Sequence, residues 1–324
     1  MDDETNTISP VSPSPVPTLH DDQEDAQRIV VVPALFDNAE GDIILRSSDE
    51  VDFRVFKVIL ALASPVFKDM FTFPQPSNET ENDISVIPVS ESSETIIPLL
   101  EFCYPVNSPR LAQQDISVIG NVLGAALKYD MQSATGPARE ALKERAEICK
   151  KDAVVAYAIA CHLKLEEEAR AAALACLKWP IVGFVVPQLA LISGLDYFNL
   201  LDFHSRACDV VKNRFSRLSH STSICKKIYP TTHQCNSSYI VKDNSYYTWW
   251  NGSCITEPLR QAPLGLEKIS LSTLAANLKQ STCHICKDKV LEGWEKARTT
   301  IITAVKNDVS AVSSHVSILI GLHN

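Results

Sequence analysis

The residues best suited to chemistry lie in the last third of the sequence, around the stretch CHIC. Cys283 and Cys286 are separated by two residues, and thiolates at this spacing can bind one tetrahedral Zn²⁺ ion if a second pair of ligands comes from elsewhere. Cys235 and Cys254 are the candidates for that pair, with His233 as an alternative. Four protein ligands would leave no position for a catalytic water, so the zinc would stabilise a loop-rich segment. The competing interpretation is that these are ordinary free cysteines.

The rest of the sequence carries no motif typical of an enzyme. It has no G-x-S-x-G, G-x-x-x-x-G-K-[ST], H-E-x-x-H or G-x-G-x-x-G arrangement. A thioredoxin-like redox role for CHIC would require a preceding strand in a βαβ unit, and the sequence pattern does not show one. We therefore expect no catalysis, and no cofactor other than the structural zinc ion.

Composition narrows the possible partners. The 324 residues carry a formal net charge of −9 and are 45% apolar. An acidic chain without a clustered Lys/Arg footprint is not expected to bind nucleic acid through its phosphates. No secretory signal is recognisable at the N-terminus. We expect an intracellular protein, in the cytoplasm or nucleus, that binds other proteins.

Two stretches need separate interpretation. Residues 1–28 are acidic and rich in Pro and Ser, and we predict that this tail is disordered. The run from Trp179 to Leu195 is apolar, but it is short for a membrane span and is interrupted by Pro180, Pro187 and Gln188. We predict a buried helical segment there, and no membrane contact.

The elements of the first half alternate between strand and helix patterns. Residues 28–36 form a β-branched run stopped by Pro33, and residues 42–46 and 51–55 predict a β-hairpin. A short helix follows, after which Ser64 and Pro65 predict the end of one helix and the start of the next. Residues 84–90 predict a third strand, at an edge of the sheet because of Pro88. Three more helices lead to Lys150, which gives an α+β fold.

This pattern resembles the BTB/POZ domain. The resemblance rests on D-x-x-L…F-x-V-x-K-x-x-L-x-x-x-S-P-x-F-x-D-M-F, followed by a polar loop, a strand and L-L-x-F-x-Y. The matching residues are Asp42, Leu45, Phe53, Val55, Lys57, Leu60, Ser64, Pro65, Phe67, Asp69, Met70, Phe71, Leu99, Leu100, Phe102 and Tyr104. The domain is placed at residues 38–150. The stretch is also similar to BTB-containing proteins of mushroom-type fungi.

The resemblance implies a small three-stranded sheet with surrounding short helices, which binds proteins through helix and edge-strand surfaces. Relatives often dimerise by exchanging an N-terminal strand, for which residues 29–32 are the candidate; pairing within one chain is the alternative. Phe56 stands where many BTB domains have a histidine, and we expect its ring to pack there. Relatives that recruit cullin scaffolds often carry an apolar-x-Glu motif in a loop that here reads TFPQPSNETEND, which offers no convincing match.

The second half is predicted to be mainly α-helical. Residues 151–218 form a helical extension in which Asp152 and Asp196 cap helices and His162 is a satisfied core histidine. Cys103, Cys149, Cys161 and Cys176 are predicted to be small core residues. Residues 219–324 combine a Cys/His-containing loop with a helical C-terminal region. Its last helix has an apolar stripe at Ile301, Val305, Val309, Val312 and Val316.

Three functions are compatible with these patterns. The leading one is a noncatalytic interaction module, in which the BTB domain associates with its own copy or with another protein and the helical region acts as an adaptor. The alternatives are a substrate receptor of a cullin-type ubiquitin ligase and a transcription regulator. The last lacks tandem zinc-finger spacing and a basic recognition helix in the sequence.

The zinc hypothesis makes a direct prediction. If Cys235, Cys254, Cys283 and Cys286 bind one ion, the purified protein should contain zinc in near-stoichiometric amount, measured by emission spectroscopy. Protein that is pure and folded but contains no such zinc would show that these are free cysteines.

Overall fold

A computed structural model of the chain describes residues 31–73, 80–81, 84–106, 109–219, 261–265 and 302–309, together with residues 292 and 299. The tail predicted for residues 1–28 and the four cysteines of the predicted zinc site lie outside these ranges. Within them, an α+β region is followed by a mainly helical region, as the sequence predicts. The elements described below all belong to the compact unit that begins at Val32.

A small sheet forms the centre of the first region. Its strands are β1 (Ile43–Arg46), β2 (Asp52–Val55), β3 (Thr80–Glu81) and β4 (Ile84–Pro88). They lie in the order β2-β1-β4-β3, with β4 parallel to β1 and the other two pairs antiparallel. The three predicted strands are confirmed. The two-residue β3 was not predicted, because its sequence is polar and has no strand pattern.

The prediction that Pro88 marks an edge strand is wrong. The strand that contains it, β4, lies between β1 and β3. Pro88 is the last residue of β4 and lies opposite Arg46, whose carbonyl accepts a hydrogen bond from the Val89 N–H at 2.8 Å. Because β3 pairs only with the first two residues of β4, the missing N–H of proline removes no hydrogen bond between these strands.

The first apolar run does not form a strand in its described part. Residues 31–33 have no regular structure, and Ala34–Phe36 form a 3₁₀ turn in which the Phe36 N–H donates to the Pro33 carbonyl at 2.8 Å. The Phe36 side chain is buried and meets the Tyr104 ring edge-on, with 5.3 Å between the ring centroids. Burial of this aromatic ring outweighs the β-propensity of the preceding valines.

Eight α-helices lie between residues 57 and 219. They are α1 (Lys57–Ala63), α2 (Pro65–Met70), α3 (Ser93–Cys103), α4 (Ile116–Lys128), α5 (Gln132–Ala146), α6 (Lys150–His162), α7 (Glu166–Cys176) and α8 (Gly194–Ser219). Further 3₁₀ turns lie at Leu111–Gln113 and Pro187–Leu191. Residues 302–309 are also helical, and Val305 and Val309 from the predicted apolar stripe are buried.

The junction between α1 and α2 follows the predicted capping. The Ser64 hydroxyl oxygen accepts from the Phe67 N–H at 3.0 Å, and Pro65 occupies the first helical position. The same hydroxyl donates to the carbonyl of Tyr129 at 2.5 Å. Phe67 is buried and stacks on the Tyr129 ring at 4.5 Å between centroids. One buried serine thus caps α2 and connects it to the end of α4.

The helical extension packs closely on the α+β region. Gly120 on α4 lies so near α6 that a β-carbon there would be 2.5 Å from Cδ1 of Ile159. On α7, Ala169, Ala172, Ala173 and Cys176 form a narrow face of small residues, and all four are buried. The two regions share one continuous apolar core.

Ion pairs reinforce the joint between α5 and the extension. The buried carboxylate of Glu168 on α7 lies between Arg139 Nε at 3.6 Å and Lys143 Nζ at 3.5 Å, both on α5. The buried carboxylate of Asp152 on α6 lies 3.0 Å from Arg145 Nε. The residue that caps α6 is Cys149, not Asp152 as predicted. Asp152 lies in the first turn, where the helix dipole favours its charge.

The run from Trp179 to Leu195 is not the predicted buried helix. It consists of turns and the short 3₁₀ segment Pro187–Leu191, and several of its apolar side chains are exposed. Pro180 and Pro187 cannot donate the N–H groups that a helix requires, and Gly183 adopts a positive φ of 75°. No described helix is long and apolar enough to cross a membrane.

The histidine assignment is also corrected. His162 is exposed because it is the last residue of α6, where the helical face no longer contacts the core. The buried histidine is His204 on α8, whose Nε2 lies 3.0 Å from the Trp179 carbonyl oxygen. Asp196 acts at the start of α8 through a reciprocal pair with Ser193: each backbone N–H donates to the other side chain at 3.1 Å.

The α4–α6 contact can be tested with two glycines on the same helix. Gly120→Ala should lower the free energy of unfolding by about 1–2 kcal/mol, because overpacking against Ile159 exceeds the gain in helix propensity. Gly124→Ala is the matched control: its β-carbon would be 3.6 Å from Leu163, an ordinary contact.

Chemical denaturation of both variants measures these effects. The control should be unchanged or more stable by up to about 1 kcal/mol. Equal stability of the two variants would contradict the close approach of α4 and α6.

Candidate interaction surface

Helix α1 has apolar side chains on both of its faces. Leu60 is fully buried in the core, whereas Val58 and Leu62 are 62% and 84% exposed. Residues four positions apart lie on the same side of a helix, so these two form one exposed face. No charged residue occurs from Val58 to Phe67. A helix that is apolar all round is typical of one covered on both sides.

The surrounding residues fix the orientation of this face. The Asp42 carboxylate accepts from the Lys57 N–H at 2.7 Å at the start of α1. The Phe56 N–H donates to the Tyr104 hydroxyl at 3.2 Å, and the Phe56 ring is half-buried against the core, as predicted. Ser64 ends α1 and begins α2. Because both ends of α1 are held, Leu60 points inward and Leu62 outward.

A residue of the β-hairpin turn caps a helix far away in sequence. The Asp49 carboxylate accepts from the Ser93 N–H at 2.8 Å and from the Ser93 hydroxyl at 2.5 Å. Burial alone would raise the pKa of Asp49, but the hydrogen bonds from Ser93 and Ser47 hold it below its ordinary value. A cap between residues 44 positions apart leaves no local signal in the sequence, so the sequence does not predict it.

A second polar cluster connects the segment before α3 to the end of α4. One Glu91 oxygen accepts from Lys128 Nζ at 2.8 Å, and the other accepts from the Tyr129 hydroxyl at 2.6 Å. Burial alone would raise the pKa of Glu91, but these two hydrogen bonds and the lysine charge lower it overall. Burial and the neighbouring Glu91 raise the pKa of Tyr129. The cluster therefore consists of a carboxylate, an ammonium group and a neutral phenol.

The five described cysteines are free thiols. Cys161 and Cys176 are buried, as predicted, and Cys103 and Cys149 are partly buried. Burial raises the pKa of Cys103 and of Cys161 to about 12. These two thiols stay protonated at neutral pH, and a protonated thiol is a poor nucleophile.

His204 and Cys208 form a pair that has the residue types of a catalytic dyad. Cys208 Sγ lies 3.7 Å from His204 Nδ1, one turn away on α8. Burial, followed by the charge of Asp209, raises the pKa of Cys208 to about 11, and burial lowers the pKa of His204. At neutral pH the pair is a thiol beside a neutral imidazole, so it fits a packing contact.

The predicted zinc ligands Cys235, Cys254, Cys283 and Cys286, with the alternative His233, lie outside the part of the chain that the structure describes. Among the residues that are described, no three His, Cys, Asp or Glu side chains are grouped to hold a metal ion. The zinc site stays a prediction.

Comparison with known proteins identifies the first region. Residues 35–146 match the family model of the BTB/POZ domain. The match spans β1 to α5 and confirms the predicted fold, a small sheet with surrounding helices followed by a helical region. A BTB/POZ domain is a protein-interaction module. No curated protein matches the chain significantly, and the likeness to proteins of mushroom-type fungi stays a prediction.

The Glu91 cluster predicts a pH dependence of stability. Because the pKa of Glu91 is lower in the folded chain than its ordinary value of 4.5, its ionised form stabilises the fold above that pH and the contribution is lost as the pH falls below it. Glu91→Gln should lower the free energy of unfolding by about 1–2 kcal/mol at neutral pH, since Lys128 is half-exposed and screened.

Denaturant titrations at several pH values measure the difference between the two proteins. It should shrink toward zero as the pH falls below 4.5. Glu140→Gln, at an exposed position on α5, is the control and should change stability by less than about 0.5 kcal/mol at every pH. A Glu91→Gln effect that is independent of pH would contradict this assignment.

Proposed function

We propose that this chain is a noncatalytic scaffold whose BTB/POZ domain, at residues 35–146, associates with a second BTB domain through the exposed face of α1. The simplest partner is another copy of the chain. The helical extension then acts as an adaptor, held in a fixed position on the domain. The observation that carries the proposal is the exposure of Val58 and Leu62 on a helix that buries Leu60 in the core and carries no charge after Lys57.

The energetics of α1 favour a covered state. Fully burying an aliphatic side chain of this size contributes about 1.5–3 kcal/mol relative to leaving it in water. Val58 and Leu62 lie one turn apart, so a single partner surface can cover both. Depletion of charge is typical of the centre of protein interfaces, and α1 carries no charge after Lys57.

The adaptor role rests on the joint between α5 and the extension. Glu168 and Asp152 are buried carboxylates, each paired with cations on α5. Removing one partner of a buried pair leaves an uncompensated charge, which costs several kcal/mol. Together with the contact of Gly120 and Ile159, these pairs hold the extension at a defined position on the BTB domain, so that whatever it binds is presented in a fixed geometry.

The α1 surface can be tested in the full chain with Leu62→Lys. A lysine is compatible with the C-terminal end of α1 because the helix dipole favours cations there. In a symmetric contact it would place charge in an apolar interface. Light scattering coupled to size-exclusion chromatography should show the mass of the wild-type particle reduced by half.

The control is Ile148→Lys, which changes a residue that is also apolar and exposed, at 57%, but lies outside α1. It should leave the mass unchanged, and both variants should keep the wild-type far-UV circular dichroism spectrum and unfold in one cooperative transition. An unchanged mass for Leu62→Lys would overturn the proposal. A wild-type chain that is monomeric on its own and forms a stoichiometric complex with a cullin scaffold would also overturn the proposal. That result would favour a substrate receptor of a ubiquitin ligase.

A further inference from the structure

One pair of side chains on α8 has the chemistry and the spacing of metal ligands. His204 and Cys208 are one helical turn apart, so they project from the same side of the helix. Two ligands at this spacing on a helix are a recurring zinc-binding arrangement. Cys208 Sγ lies 3.7 Å from His204 Nδ1. In a tetrahedral zinc site, the usual Zn–S and Zn–N bond lengths place two such ligand atoms about 3.5–3.6 Å apart.

The hydrogen bond on the other side of the imidazole determines which nitrogen can bind a metal. His204 Nε2 lies 3.0 Å from the Trp179 carbonyl oxygen. A carbonyl oxygen can only accept, so Nε2 carries the proton and Nδ1, the nitrogen beside Cys208, keeps its lone pair. A metal-ligating histidine commonly donates its other N–H to a backbone carbonyl, because this bond holds the ring in place. The ring is thus oriented as a ligand requires.

The surroundings of the pair favour a metal that prefers nitrogen and sulfur. Burial lowers the pKa of His204, so the imidazole is neutral at pH 7. Burial raises the pKa of Cys208 to about 11, so the thiol keeps its proton in the packing contact until a metal ion displaces it to solvent. Cys208 is only partly buried, so an ion can enter from the side of the thiol. A thiolate with an imidazole suits Zn²⁺ and not Mg²⁺ or Ca²⁺.

A closed zinc site needs two more ligands. Among the residues that the structure describes, no third His, Cys, Asp or Glu side chain is grouped with another two for this purpose. The CHIC motif at residues 283–286 carries two cysteines at the spacing of a ligand pair. It lies outside the described residues, and its second ligand pair is not fixed by the sequence. A pair on α8 with the geometry of ligands can complete it.

The described residues on both sides of the CHIC motif lie on the helical extension. Before it, the Leu264 N–H donates to the Leu177 carbonyl at 2.9 Å. Leu177 is two residues from Trp179, whose carbonyl holds the imidazole ring. After the motif, Val305 and Val309 are buried in the same apolar core as α8. The chain therefore enters and leaves the stretch that contains CHIC on the body that carries the α8 pair.

We propose that His204 and Cys208 are two ligands of a structural Zn²⁺ site, and that the cysteines of the CHIC motif are the other two. The α8 pair then takes the place that sequence spacing alone gave to Cys235 and Cys254. Such an ion joins α8 to the C-terminal region, and four protein ligands leave no position for a catalytic water. The site is separate from the α1 surface and does not depend on self-association.

The test measures zinc binding by the reduced full chain, with metal content from emission spectroscopy and affinity from competition with a chelator. The wild-type chain should bind one Zn²⁺ ion. Cys208→Ser should lower the affinity by more than the roughly 10–100-fold that loss of an outer hydrogen-bond partner costs. Cys149→Ser is the matched control, because it changes another partly buried thiol at the cap of α6, where serine is also favoured. It should leave the affinity unchanged, and both variants should keep the wild-type circular dichroism spectrum.

Co²⁺ in place of Zn²⁺ distinguishes the loss of a ligand from an indirect effect on the fold. Thiolate-to-cobalt charge-transfer absorption grows with the number of bound thiolates, so Cys208→Ser should remove the share of one thiolate. Serine at both Cys235 and Cys254 should leave the absorption and the zinc affinity unchanged.

Three results would overturn the inference. The first is a folded, reduced wild-type chain that binds no Zn²⁺. The second is zinc binding by Cys208→Ser that equals that of the Cys149→Ser control, which would leave Cys235 and Cys254 as the second pair. The third is zinc binding that survives replacement of both CHIC cysteines by serine. None of these results depends on the mass of the particle, so the α1 proposal stands or falls separately.

Discussion

The arrangement of the BTB domain depends on the buried hydroxyl of Ser64. It caps α2 by accepting from the Phe67 N–H, and it donates to the Tyr129 carbonyl at the end of α4. A hydroxyl can do both because it has one donor and two acceptor positions. Ser64 fixes the residue at which α1 ends. The position of that end determines which side chains of α1 enter the core. Leu60 becomes buried and Leu62 exposed as a result.

The position of α4 in turn determines where the extension lies. Gly120 lets the Ile159 side chain of α6 pack directly on α4, where a β-carbon would lie 2.5 Å from Cδ1 and force Ile159 to shift. Behind α6, α7 presents a face of small residues and places Glu168 between two cations of α5. The extension is therefore packed into the same core as the BTB domain. The extension and the exposed face of α1 therefore have fixed positions on one body, which suits a scaffold.

Local signals in the sequence were enough for the features that depend on neighbouring residues. The Ser64-Pro65 junction and the β-hairpin were both predictable, because capping and strand alternation involve residues a few positions apart. The Asp49 cap on α3 was not, because its partner lies 44 residues away. Hydrophobicity alone predicted a buried helix at residues 179–195, but the prolines and the positive φ of Gly183 prevent a helix there. His162 was assigned to the core because the helical period does not show where α6 ends.

The pattern also could not distinguish apolar residues that fill the core from those that form an interface. Both look alike in sequence, and only the structure shows that Val58, Leu62, Val182 and Val185 are exposed. Whether the exposed face of α1 is covered in solution is the central claim, and the mass of the unaltered full chain tests it most directly. Sedimentation equilibrium over a wide concentration range should give a multiple of 35.7 kDa. A particle of 35.7 kDa at every concentration would contradict the account.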